Sequence, residues 1–357
     1  MTGRNALSLD SVRMSANRGY LEILDQTLLP GRVEFLRLTS AEEIREAIKN
    51  LRVRGAPAIG VAAAYGAALA ASKLETDDPE TFLSGFMRLK NYLAGARPTA
   101  VNLFWALDRL EHKARESLSR PVPEIKAALF DEAQAIRDED VATSRAIGEY
   151  GYGLLRPGCG ILTHCNAGTL ATAKYGTALA PVYIALERGL HDLRVYCDET
   201  RPLLQGARLT AFELQSAGVD TTLICDNMAS YVMASGRIDL VLVGCDRVAE
   251  NGDSANKIGT SGVAVLARHY GIPFYVCAPS ATIDRRLASG AEIPIEERAP
   301  EEVTEMWYRE RMAPEGVKVL NPAFDVTDHS LITGIITEKG IAREPFGAAF
   351  SKLGIGG

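Results

Sequence analysis

The chain has 357 residues, 47% hydrophobic and 24% charged, with a formal net charge of −6. That composition excludes disordered and fibrous classes and allows two packed cores. The acidic balance provides no basic field for a phosphate backbone, so no nucleic-acid partner is expected; a few cations and amides would still suffice for a small phosphorylated ligand.

The opening MTGRNALSLDSVR has no continuous apolar core of the secretory kind, and the longest apolar stretch, 59–71, is too short to cross a bilayer. The six cysteines form no CxxC pair. A reduced, cytoplasmic protein with no membrane association is expected.

Residues 1–147 read as a mainly helical N-terminal domain with one short hairpin. The hairpin lies within 20–38, where two apolar runs flank Leu29-Pro30-Gly31. Ser40 is placed to cap a helix through about residue 51, with Glu42 and Glu43 in its first turn. Pro57 can open the next helix, to about residue 74. Thr99 is expected to cap another, to about 118, and 123–150 reads as a last long helix.

The period changes over 148–357. Apolar runs at 160–165, 193–197, 221–225, 240–245 and 273–277 alternate with helical stretches such as 170–188, 203–217 and 259–270. The fold class is therefore α/β, with a C-terminal Rossmann-like, doubly wound parallel sheet. Segments 319–327 and 331–340 read as closing strands or an interface arm.

Open α/β sheets bind ligands beyond the carboxyl ends of their strands. Those ends read THCNAG, YCDETRP, ICDN, GCDR and CAPS. Cys159, Cys197, Cys225, Cys245 and Cys277 are expected to be small buried hydrophobes. Cys165 differs, because Asn166-Ala167-Gly168-Thr169 follows as a tight turn opening a helix. An activated thiol and a packed one are both open there. Its neighbour His164 should face the other way, as a satisfied core group. Asp246, at the tip of a central apolar strand, should be desolvated and suited to acid/base work; pairing with Arg247 or capping a helix is the alternative.

Residues 249–262 are too polar and long for a minimal turn. They place Asn256 and Lys257 at a helix start, where a cation and free amides would suit phosphate. Arg54-Gly55-Ala56-Pro57 and Arg97-Pro98-Thr99 each put a cation before a helix, and Gln205 lies near another helix start. The scattered histidines lack metal-ligand spacing, so no metal is expected. Without GxGxxG, dinucleotide binding loses its support and no cofactor is expected.

In order, RGAPAIG (54–60), RPTAVNL (97–103), ILTHCNAG (161–168), DETRPLLQGARLTAFEL (198–214), DNMA (226–229) and GCDRVAENGDSANKIGT (244–260) occur in the chain. With SATID, IPIEER and NPAFDVT, they closely resemble the methylthioribose-1-phosphate isomerases of methionine salvage, over residues 24–340. That family is related to regulatory subunits of the eukaryotic initiation-factor nucleotide exchange factor and to ribose-1,5-bisphosphate isomerases. The resemblance implies an aldose–ketose isomerase acting on a small phosphorylated sugar, 5-methylthioribose 1-phosphate, and a homodimer. It assigns Cys165 and Asp246 as the catalytic pair, and Arg54, Gly55, Ala56, Arg97, Gln205, Asn256 and Lys257 as substrate contacts. Cys245, where the family commonly has Ala, is a departure beside Asp246; Asp328-His329-Ser330 is another. The competing expectations are an isomerase of 5-deoxyribose 1-phosphate or ribose 1,5-bisphosphate, and a non-catalytic nucleotide-sensing subunit.

Overall fold

In the computed structural model, which describes residues 10–98 and 100–356, the chain divides into two units. Among these residues, one unit holds 10–142 and 169–176, and the other 143–168 and 177–356.

The first unit begins with an antiparallel sheet, β1 (Val12–Met14), β2 (Leu21–Leu24) and β3 (Phe35–Leu38), in that order. β2 and β3 are the expected hairpin pair; β1 escaped sequence reading because three residues carry too little alternation to register. Helices α1 (Ala41–Lys49), α2 (Ala56–Ser72), α3 (Pro79–Ala94), α4 (Val101–Glu116) and α5 (Val122–Tyr152) follow, and the division between units falls within α5. Ser40 and Glu43 form a reciprocal capping box at α1, an arrangement worth about 1 kcal/mol. In α2 the residues from Ala58 to Ala71 are all buried. Its small side chains let α1, α3 and α4 close around it, so it shows no polar face. Thr99, expected to cap α4, lies outside the described residues.

The second unit is built on a seven-stranded sheet. Its elements in chain order are β4 (Gly160–Thr163), α6 (Ala180–Glu187), β5 (Arg194–Asp198), α7 (Ala211–Ser216), β6 (Asp220–Ile224), α8 (Ala229–Ala234) and β7 (Leu240–Val243). Next come β8 (Arg247–Ala249), β9 (Ser254–Lys257), α9 (Thr260–Tyr270), β10 (Phe274–Cys277), β11 (Ile283–Asp284) and α10 (Glu301–Thr304). The chain closes with β12 (Phe324–Thr327), β13 (Gly334–Thr337), β14 (Gly340–Ala342) and α11 (Phe346–Lys352). The main sheet has the order β14-β13-β10-β7-β4-β5-β6, parallel except for the edge strand β14. From β4 the chain steps outward through β5 to β6, then returns to place β7 on the other side of β4. The order therefore reverses between β4 and β7, where a doubly wound sheet leaves a crevice.

Three expectations need correction. The stretch 249–262 is not one long loop: β8 and β9 form an antiparallel hairpin within a second sheet, β11-β8-β9-β12. The helix expected over 170–188 is confined to α6, preceded by a short 3-10 turn at Thr169–Ala171. Tyr175 and Gly176 both have positive φ, 68° and 80°, which a right-handed helix cannot absorb. The helix expected over 203–217 contains a π-helical turn, Gly206–Thr210, before α7. No helix among the described residues is long and apolar enough to cross a membrane.

Candidate active site

Cys165 leaves the carboxyl end of β4, and Asp246 leaves that of β7. These strands are direct parallel neighbours, with Ile161 opposite Leu240 and Leu162 opposite Val241. The two residues thus flank the reversal in strand order. Their loops also pack closely: a β-carbon added at Gly244 would lie 2.7 Å from that of Ala167.

The Cys165 turn is held by buried polar groups. Its backbone N–H donates to Thr200 Oγ1 at 2.8 Å, and its carbonyl accepts from Thr210 Oγ1 at 2.6 Å. These bonds secure a φ of 65°, in the left-handed region that a residue with a β-carbon avoids at a cost of about 1–2 kcal/mol. Beside it, Asn166 Nδ2 donates to Thr210 Oγ1 at 3.1 Å and to Glu213 Oε1, and Tyr183 donates its hydroxyl to Glu213 Oε2 at 2.9 Å. Thr200, Thr210 and Glu213 escaped sequence reading: their role exists only through contacts 30 to 47 residues apart.

His164 is buried, as expected. Its Nδ1 lies 2.9 Å from Asp198 Oδ2 at the end of β5, and its Nε2 lies 2.8 Å from the Ile258 carbonyl. Burial disfavours a charged imidazole, but the Asp198 hydrogen bond and charge, reinforced by Asp226, outweigh it and hold the His164 pKa above its ordinary value. Asp226 accepts the amides of Thr200 and Arg201, both at 2.7 Å, and so braces the adjoining loop.

Asp246 departs from expectation. Its side chain is exposed, because the hairpin β8–β9 carries the chain away from the sheet immediately after β7. Its own N–H donates to the Ala255 carbonyl at 2.9 Å. Arg247 pairs with Asp284 at 2.8 Å. Cys245 donates its thiol toward the carbonyls of Arg247 and Ala255, so the departure from the family pattern is absorbed by packing.

Gln205 is buried just before the π-helical turn, and its Oε1 accepts no hydrogen bond from the described residues. Asn256, also buried, donates to Thr260 Oγ1 at 3.0 Å. Lys257 Nζ donates to the Ala323 carbonyl at 2.9 Å and stands 4.4 Å from the centre of the Phe324 ring. Two of the amides at this helix start, those of Gly259 and Ser261, are already engaged. Asp325 accepts from Gly259 N at 2.8 Å, from Ser261 N at 3.1 Å and from Ser261 Oγ at 2.9 Å. A carboxylate from β12 thus occupies the anion site that the sequence suggested for a ligand.

The remaining candidates lie in the helical unit. Arg54 is half-buried and precedes Gly55, the N-cap of α2 with φ 90°; Ala56 is the first residue of that helix. Arg97 is half-buried ahead of α4. The sheet unit therefore holds Cys165, Asp246, Gln205, Asn256 and Lys257, while Arg54, Gly55, Ala56 and Arg97 belong to the other unit.

Cys225 corrects another expectation: it is exposed at the end of edge strand β6. Cys159, Cys197 and Cys277 are buried, and burial pushes all three thiol pKa values up.

Residues 52–344 match the Initiation factor 2 subunit family. The chain belongs to that family. Within it, the chain is 67% identical over 333 residues to the methylthioribose-1-phosphate isomerase of Symbiobacterium thermophilum, covering 93% of this chain and 92% of the relative. It is 55% identical over 342 residues to the 5-deoxyribose 1-phosphate isomerase of Petrotoga mobilis, covering 96% and 98%. The crystal structure of 5-methylthioribose 1-phosphate isomerase from Pyrococcus horikoshii OT3 superposes with a TM-score of 0.92 at 46% identity, covering 99% of this chain and 98% of that one.

Proposed function

We infer that this protein is an aldose–ketose isomerase that converts 5-methylthioribose 1-phosphate to 5-methylthioribulose 1-phosphate in methionine salvage. The observation that carries the reading is the placement of Cys165 and Asp246 on neighbouring strand ends at the reversal of the sheet. High identity to relatives named for that activity supports it.

The substrate's chemistry explains the pair. In a sugar 1-phosphate the anomeric oxygen carries phosphoryl, so ring opening cannot begin by deprotonating an anomeric hydroxyl. The C1–ring oxygen bond must break with a proton delivered to the ring oxygen. Hydrogen then moves from C2 to C1, and the C2 hydroxyl loses a proton as the carbonyl forms. We assign Asp246 as the acid that protonates the ring oxygen and then recovers the C2 hydroxyl proton, leaving no net change in protonation. We assign Cys165 to the reacting carbons, where its thiol stabilises charge or exchanges a proton. Deuterium at C2 tests the route: label lost to solvent rules out a pure hydride shift from C2 to C1.

Within the sheet unit, Lys257 is assigned to the phosphate and Gln205 and Asn256 to the sugar; Arg54, Gly55, Ala56 and Arg97 are kept as the substrate contacts that the family resemblance implies. The unmatched Gln205 Oε1 supports an acceptor role toward a hydroxyl. A dimer and a cytoplasmic location complete the reading; light scattering that finds a monomer would remove the first.

The test is proton and phosphorus NMR of purified protein with 5-methylthioribose 1-phosphate, beside Cys165→Ala. A 1-phosphoketose formed only by the wild type supports the reading. Inertness toward this substrate and toward the other ribose 1-phosphates would leave a sensor that retains the pocket. The name of the Petrotoga relative supports 5-deoxyribose 1-phosphate as a second substrate, to be ranked by kcat/KM in the same assay.

A further inference from the structure

His164 makes contacts that nothing in the proposed reaction uses. Its ring joins the ends of three segments: the Cys165 turn through the chain itself, the end of β5 through Asp198, and the Asn256–Gly259 loop through the Ile258 carbonyl. The loop backbone lies directly on the ring, since a β-carbon at Gly259 would fall 2.8 Å from His164 Cε1. Each segment carries or adjoins a residue of the proposed site: Cys165, Gln205, and Asn256 with Lys257.

The protonation of the ring follows from its partners. A carbonyl oxygen can only accept, so Nε2 carries a hydrogen. At Nδ1 a lone pair facing a carboxylate lone pair at 2.9 Å would be repulsive, so a proton lies in that contact too. Asp198 Oδ1 has no hydrogen-bond partner among the described residues, and Asp226 and Glu199 add negative charge nearby. The nearby carboxylates favour the proton on imidazole, while burial and the unmatched Oδ1 oppose a charged Asp198. An imidazolium–carboxylate pair would make both contacts with no net charge, and removing its proton would leave Asp198 buried and uncompensated.

We propose that His164 is a positioning residue for the isomerase reaction: donating from both ring nitrogens, it locks the Cys165 turn in register with the loop carrying Asn256 and Lys257. This rests on the reading of function above, but its physical core does not. Asp198→Asn is informative because an amide can donate to Nδ1 and so preserve both contacts with a neutral ring. His164→Asn keeps at most the contact with Asp198 and releases Ile258.

Nitrogen-15 NMR of histidine-labelled wild type at about pH 8, where an ordinary imidazole is neutral, should show both ring nitrogens of His164 protonated. His164→Asn should lower kcat/KM about 100-fold, the scale of an ångström-sized misplacement, and change the alkylation rate of Cys165 followed peptide by peptide. Asp198→Asn should stay within about tenfold of wild type and show a hydrogen on Nε2 alone. An unprotonated Nδ1 in the wild type, or wild-type kinetics and Cys165 reactivity in folded His164→Asn, overturns the proposal. Asp198→Asn as inactive as His164→Asn also overturns it, since charge and not geometry would then matter. If His164→Asn does not fold, the wild-type spectrum and Asp198→Asn decide. If the wild type isomerises no sugar phosphate, the functional reading fails, and the spectrum and alkylation still answer for His164.

Discussion

The Cys165 amide donates to Thr200 Oγ1 at 2.8 Å, and both residues hold left-handed backbone, with φ 65° and 64°. Two strained turns at the ends of adjacent strands β4 and β5 therefore support each other. Strain of this kind persists where surrounding bonds over-determine it, and here it presents the Cys165 thiol at the strand end.

Replacing Cys165 tests chemistry apart from folding. Cys165→Ala should lower kcat by about 10²- to 10⁴-fold while moving the denaturation midpoint little, because alanine bears the same left-handed strain. Cys165→Gly relieves that strain and should be at least as stable as Cys165→Ala, yet equally inactive. Turnover by NMR beside urea unfolding checks both; an active glycine variant would remove the thiol from the reaction.

Asp246 is exposed, so its loss should cost function without stability. Asp246→Asn should retain the fold within about 0.5 kcal/mol and lose about 10²- to 10⁴-fold in kcat. Urea melts and steady-state rates on one preparation give the comparison.

Asp325 anchors the start of α9 through three hydrogen bonds. Removing a capping side chain costs about 0.5–2 kcal/mol, and Asp325→Ala should fall at the upper end. It also frees the segment following Lys257, so KM for the sugar phosphate should rise. A variant with unchanged stability would show that the cap contributes nothing net.

His329 and Asp253 form a pH-sensitive clasp between the segment after β12 and the β8–β9 turn, joined at 2.8 Å. Partial burial opposes ionisation of Asp253, but bonds from Asn251, the Gly290 amide and His329 hold its pKa down to about 2. The Asp253 hydrogen bond holds the His329 pKa above its ordinary value. The carboxylate's contribution is present above its unfolded value near 3.8 and lost as pH falls toward 2. The imidazolium's contribution is complete below 6.5 and lost as pH rises through its raised folded value. Denaturant titrations across pH should show the alkaline loss in wild type and a flatter profile in His329→Ala.

Among the six cysteines, Cys225 should react first with a small alkylating agent. The neighbouring Glu199 charge raises its pKa, so the reaction should quicken at alkaline pH. Cys197 and Cys277 should react only on unfolding. Mass spectrometry of labelled peptides reads the order directly.

Local sequence was sufficient for most of the alternation of apolar runs and helices over 148–357, for Ser40 as a helix cap and for the burial of His164. Such features depend on side-chain period and on contacts a few residues apart. The motif series also marked Cys165 and Asp246, but as residues of two separate strand ends. Only strand order made them neighbours: β7 returns to pair with β4, and that choice depends on crossovers spanning most of the unit. Tertiary contact likewise exposed Asp246 and gave the Gly259 and Ser261 amides to Asp325, 66 and 64 residues further on. Composition and periodicity carry the burial preference of each segment, while partnership between distant polar groups is decided by which strand ends the folded sheet sets side by side.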